Sequence, residues 1–143
     1  MHPVQPCFTR DSYSGSTPAS QAGSASSILV SRSMLVESEY VKIQVAVPVA
    51  NEAAILDAFG KHGAGRQGTY SYCSGTYRAI GRFIPLDGSH PAIGTLGKLE
   101  QVEESVVQAI CHRDNVERVI IAVKKVHPYE EPAIDIMPRF DLQ

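Results

Sequence analysis

One run of six residues concentrates the chemistry in this 143-residue sequence: His127-Pro128-Tyr129-Glu130-Glu131-Pro132. An imidazole beside carboxylates suits a divalent ion, so a metal or small-ligand site is one reading of His127, Tyr129, Glu130 and Glu131. A structural reading stands beside it. Pro128 stops a helix, Pro132 aligns a strand, and the Tyr and Glu side chains can bond the turn or a neighbouring subunit. A second group is Cys73 with Tyr70, Ser71 and Tyr72. A thiol brought against an imidazole from elsewhere in the fold would bind a soft metal or do redox chemistry; alone, it is a small residue that packs in cores. Nucleophilic catalysis needs a base and an orienting group, and the sequence displays no such set. The remaining histidines read as structural. His62 sits where a helix ends and a partial cation is favoured, His112 precedes a helix cap, and His90 lies in a long loop. Gly63-Ala64-Gly65 follows a helix instead of joining strand to helix, so it reads as a C-terminal turn and not a phosphate loop.

The elements that must position these residues are legible in the patterning. Val41, Ile43, Val45 and Val47 alternate with Lys42, Gln44, Ala46 and Pro48, which marks a half-buried strand beginning at Tyr40. Asn51 offers an N-cap and Glu52 a first-turn acid for a helix carrying Ile55, Phe59 and His62 on one face, stopped by Gly63. Thr69–Cys73 and Tyr77–Ile84 read as two short strands around Ser74-Gly75. Pro85, Gly88, Pro91, Gly94 and Gly97 punctuate a loop, and Leu99–Cys111 reads as a strand. Asp114 and Glu117 stand at capping-box spacing before a helical stripe of Val116, Val119, Ile120, Val123 and Val126, with Lys124 and Lys125 at its C-terminal end. Ala133–Met137 closes as a strand. Strand, helix, strand or hairpin, strand, helix, strand is an α+β order: a ferredoxin-like βαββαβ sandwich, an antiparallel sheet with two helices on one face.

Composition bounds what such a domain can do. A formal net charge of −2 leaves no electrostatic footprint for nucleic acid or an anionic membrane. No apolar run approaches the roughly 20 residues of a spanning helix. Cys7, Cys73 and Cys111 are odd in number and far apart, which argues against a disulfide framework or a zinc ribbon and favours a reducing, cytoplasmic compartment. Residues 1–38 read as a disordered Ser-rich leader and residues 39–141 as the domain. Nine of the first 33 residues are serine and only Arg10, Asp11 and Arg32 are charged, so this stretch lacks the apolar area to offset its ordering entropy. Met34 is an alternative start, and a Ser-rich, acid-poor leader also fits an organellar transit peptide.

Three stretches, Gly63–Ser74, Gly81–Gly94 and Lys124–Ala133, together resemble the inserted central domain of the Nif-three-like (YqfO) proteins. The third also resembles the end of the CutA proteins. The resemblance implies a PII/CutA-like domain, a homo-oligomer that is a trimer, and a ligand or metal site near His127, Tyr129, Glu130 and Glu131, with Cys73 and Tyr72 as further candidates. Many relatives carry His at the Tyr72 position, which weakens a metal role there. The family's two-metal, hydrolase-like centre resides in flanking halves that this chain does not show. A binding or assembling module is therefore expected, taking a divalent metal ion or a small metabolite at subunit boundaries. The alternatives are a protein-docking or regulatory domain without a small ligand and, last, a metal-assisted hydrolase.

Overall fold

The computed structural model describes residues 34–143; the first 33 residues, which hold most of the expected leader, lie outside the described residues. Six elements follow in order: β1 (Leu35–Pro48), α1 (Glu52–His62), β2 (Gly75–Phe83), β3 (Glu100–His112), α2 (Val116–Val126) and β4 (Ile134–Leu142). The strands form one sheet in the order β2-β3-β1-β4, with every neighbouring pair antiparallel. This is the expected βαββαβ sandwich. Among the described residues no helix is long and apolar enough to cross a membrane.

The alternation in β1 does what a period of two requires. Val41, Ile43, Val45 and Val47 are buried on one face, and Val107, Ala109 and Cys111 of β3 continue that face beside them. Ile55, Ala58 and Phe59 of α1 and Val119, Ala122 and Val123 of α2 close the core above it. Within α2 the apolar stripe runs through Val119, Ala122 and Val123. Val116 and Ile120 pack at its margin, and Val126 is exposed. The helices meet through Arg118, whose Nε donates to the His62 carbonyl at 2.8 Å. Gly63 ends α1 as expected. Its N–H bonds the Gly60 carbonyl and the Ala64 N–H bonds the Phe59 carbonyl, which are the paired bonds of a left-handed helix stop.

Several local expectations change. Thr69–Cys73 is not a strand. Within it Tyr72 takes a positive φ of 60°, and Gln67 and Tyr70 exchange backbone bonds across a tight turn that follows Gly65 and contains Gly68, both of which also take positive φ, so the segment is not extended. The segment is a compact turn tied by Gly65 N–H to Ile110 O and Cys73 N–H to Gly65 O. Neither expected cap bond forms. Asn51 makes no side-chain cap, and Asp114 lies within a 3-10 turn that leaves Asn115, also without a side-chain cap, at the start of α2; such a turn precedes each helix (Val49–Asn51 and Arg113–Asn115) and shifts the geometry. At the second turn His112 does the capping: its Nδ1 accepts from the Asp114 N–H at 3.3 Å. Glu52 accepts from Arg78 and from Ser105, tying α1 to β2 and β3.

The outer strands outrun their sequence signals. β1 starts at Leu35, ahead of Tyr40, and β4 continues to Leu142, beyond Met137. Their extra residues pair with each other, Leu35 with Leu142 and Glu37 with Phe140, past a bulge between Glu37 and Val41. Leu35, Phe140 and Leu142 are exposed there, while Ser38, whose carbonyl accepts from Arg113, is buried, so the extension carries no apolar alternation for the sequence to reveal.

Candidate functional site

The His127–Pro132 run leaves the C-terminal end of α2 and crosses to the sheet face that the helices do not cover. His127 begins the crossing and is itself buried, 8% exposed. Its Nε2 donates to the Ala46 carbonyl at 2.8 Å, and its Nδ1 accepts the Tyr129 N–H at 3.0 Å. That pattern requires the neutral ring with its proton on Nε2 and engages both nitrogens. His127 therefore holds the turn and has no lone pair left for a metal in this arrangement.

Tyr129 is directed inward by that turn. Its hydroxyl donates to Glu104 Oε1 at 3.0 Å, and its ring lies 6.0 Å from Phe83, tilted by 60°. Burial, then the bond to Glu104 and that carboxylate's charge, push the Tyr129 hydroxyl far above the ordinary phenol range. Glu104 is as buried as His127, at 8% exposed. It lies where a side chain at Gly81 on the neighbouring strand would have to be, so that glycine makes room for the carboxylate against the sheet. Glu104 was not among the expected site residues. Its signal in the sequence is a carboxylate in the register of Val102 and Val106, on the same face of β3.

Beyond Tyr129 the run meets the long loop. Glu130 accepts the His90 N–H at 3.1 Å, and the His90 imidazole stands 3.8 Å from the same carboxylate. Between loop and run lies a cleft of about 230 Å³. Phe83, Pro85, Pro91, Ile93 and the Tyr129 ring supply apolar walls, while Ser89, Glu130 and Glu131 supply the polar rim. Four of the expected residues thus gather at one place, three of them lining the cleft and His127 behind it.

Cys73 and Tyr72 are elsewhere. Cys73 borders a different cleft, of about 250 Å³, with Lys42, Gln108 and Ile110. The Tyr72 ring lies against Gly60 of α1. Neither meets the His127 run, so the imagined thiol and imidazole pair is not assembled with it. Among the described residues no three His, Cys, Asp or Glu side chains group as metal ligands. Cys111 is buried in the core, and burial pushes its thiol up, with Arg118 pulling weakly the other way.

No family model matches the chain. Over 97 residues it is 42% identical to the GTP cyclohydrolase 1 type 2 homolog of Halalkalibacterium halodurans, covering 68% of this chain and 26% of that protein. The Bacillus subtilis protein of the same description is 43% identical over 97 residues, again with 26% of its length covered. The chain spans about a quarter of the length of the curated relatives it matches. Among solved structures, a Bacillus cereus protein related to NIF3 superposes with a TM-score of 0.63 at 34% identity, over 76% of this chain and 27% of that one. CutA1 from Pyrococcus horikoshii gives a TM-score of 0.53 at 16% identity, over 72% of this chain and 86% of that one. The chain is thus related to the central segment of the NIF3-like proteins and shares the fold of CutA.

Proposed function

We propose that this relative of the NIF3 central segment is a non-catalytic binding module that works as a homo-oligomer and takes a small ligand beside Tyr129. One observation carries the reading. The run that resembles the family motif and the punctuated loop, joined by a bond between residues 40 apart in sequence, close on each other and leave an apolar cleft with a polar rim. The ligand reading is favoured over a metal reading because His127 is committed to the turn. A divalent ion would have to be held by Glu130 and Glu131 with groups from a neighbouring copy.

The resemblance to the PII and CutA fold implies a trimer. The outer edges of β2 and β4 are compatible with assembly, since each presents a row of backbone donors and acceptors that is unpaired among the described residues. A protein-docking role without a small ligand has its own support in the exposed Leu35, Phe140 and Leu142 of the β1–β4 extension.

Size-exclusion chromatography with light scattering on the full chain tests the assembly, and a trimer's mass is expected at micromolar concentration. A monomer under those conditions would sink it. Metal analysis of the purified protein, repeated on the Glu130→Ala and Glu131→Ala double variant, separates the ligand classes. Stoichiometric metal that disappears in the double variant would replace the small-ligand reading with a metal site.

A further inference from the structure

We infer that the cleft beside Tyr129 takes a small organic cation with an apolar body, an aryl- or alkylammonium, seated against the Tyr129 and Phe83 rings with its charge on the Glu131 and Glu130 carboxylates. The inference deepens the binding-module reading and rests on it.

Size is the first constraint. A space of about 230 Å³ lies below the usual range for drug-sized ligands and accommodates one ring with a short tail rather than a nucleotide. Charge is the second. The lining contains two carboxylates and neither Lys nor Arg, so an anion would meet like charge at the rim. Glu130 is already engaged by His90, whereas Glu131 has no hydrogen bond or ion pair among the described residues and is exposed at the mouth. It can therefore take a cationic head without giving up water entirely, which avoids most of the desolvation cost of a buried pair.

The walls are the third constraint. Tyr129 donates its only hydroxyl proton to the Glu104 carboxylate. A phenol that donates to an anion has a more electron-rich ring, which strengthens its attraction for a cation. The same bond stops the hydroxyl from donating to a ligand, so a neutral or anionic ligand would gain no hydrogen bond from it. Pro85, Pro91 and Ile93 then leave the ligand's body an apolar seat. A bare metal ion would use none of these walls.

The test uses the full chain labelled with nitrogen-15, titrated with three probes of one shape: phenethylammonium, 3-phenylpropionate and 2-phenylethanol. Phenethylammonium is expected to shift the amides of Ile93, Tyr129 and Glu131, with an affinity about tenfold or more above that of 3-phenylpropionate. Glu131→Gln lies at the exposed rim and leaves the core alone. It is expected to weaken phenethylammonium several-fold and to leave 2-phenylethanol unchanged. If the alcohol or the carboxylate binds the same amides as tightly as the cation, the cation inference is overturned while the ligand cleft stands. If Glu131→Gln and Glu130→Gln together leave the cation's affinity unchanged, the assigned carboxylates are wrong and the inference falls. If no probe moves the cleft amides, the inference and the small-ligand reading fall together.

Discussion

The two faces of the sheet are made by the same strands and are built on opposite principles. Under the helices, Val41, Ile43, Val45 and Val47 meet Phe59, Val119 and Val123 with no charged group among them. On the other face, the strands carry Glu104 under Tyr129, and a chain of polar contacts runs from the Tyr77 hydroxyl to Gln44 and from Gln44 to Asp135. The covered face is mainly apolar, its directional side-chain bonds being those by which Glu52 of α1 holds Arg78 and Ser105. The open face holds directional bonds, each of which needs a specific partner. Burial on the first face supplies stability, and geometry on the second supplies a site.

That contrast is broken most severely within the covered layer. Phe59 is only 2% exposed. Phe59→Ala removes a ring from the close-packed layer and is expected to cost about 3–5 kcal/mol by chemical denaturation. A loss below that of the open-face variant described next would mean that the helices do not dominate stability.

Tyr129→Phe is the matching change on the open face. It keeps the ring and leaves the buried Glu104 carboxylate without its donor, at an expected cost of about 1–3 kcal/mol. The same pair has a pH signature. Folded Tyr129 holds its proton more tightly than it does in the unfolded chain. Its contribution is therefore complete below the ordinary phenol range near pH 10 and falls as pH rises beyond it. Ultraviolet titration of the phenolates is expected to show one tyrosine lagging the others, and that lag should vanish in Tyr129→Phe. A wild-type titration with every tyrosine together would remove the Glu104 bond from the account.

The smallest effect is chemical and does not bear on stability. Cys111 lies in the covered layer at 1% exposure and Cys73 at the half-exposed turn. In a Cys7→Ser background, Cys73 should react with an aromatic disulfide reagent well before Cys111, because burial both blocks the thiol and disfavours its thiolate. Equal rates would show that the two regions open together.

Much of this was legible in the residues, and the parts that were not share a cause. The alternation in β1, the stop at Gly63 and the break at Pro128 are local signals, read within one element and borne out there. Thr69–Cys73 reads as a strand in sequence because Tyr and Thr favour strands, while the turn that holds it is closed by backbone bonds between Gln67 and Tyr70 and between Cys73 and Gly65, and Gly65 is anchored to Ile110, far along the chain. The caps failed for a similar reason: a 3-10 turn enters each helix and His112 reaches the Asp114 N–H from the strand end, whereas Glu52 stands in the first turn as expected and there also bonds Arg78 and Ser105. Glu104 was visible only as a carboxylate in an apolar register. Its role needs Tyr129 from a later segment and the space left at Gly81 on a neighbouring strand.

By itself the sequence determined the order of elements, the face of β1 that is buried and the position of the chemistry-bearing run, because periodicity and helix stops are properties of neighbouring residues. Only the tertiary structure decided which of those residues share a site. It turned His127 into a bonded strut, moved Cys73 and Tyr72 away, and set Tyr129, Glu130 and Glu131 against a loop that the sequence shows merely as punctuated. The physical reason is that a site is a set of contacts between segments distant along the chain, and their meeting is fixed by how the sheet and its connections pack.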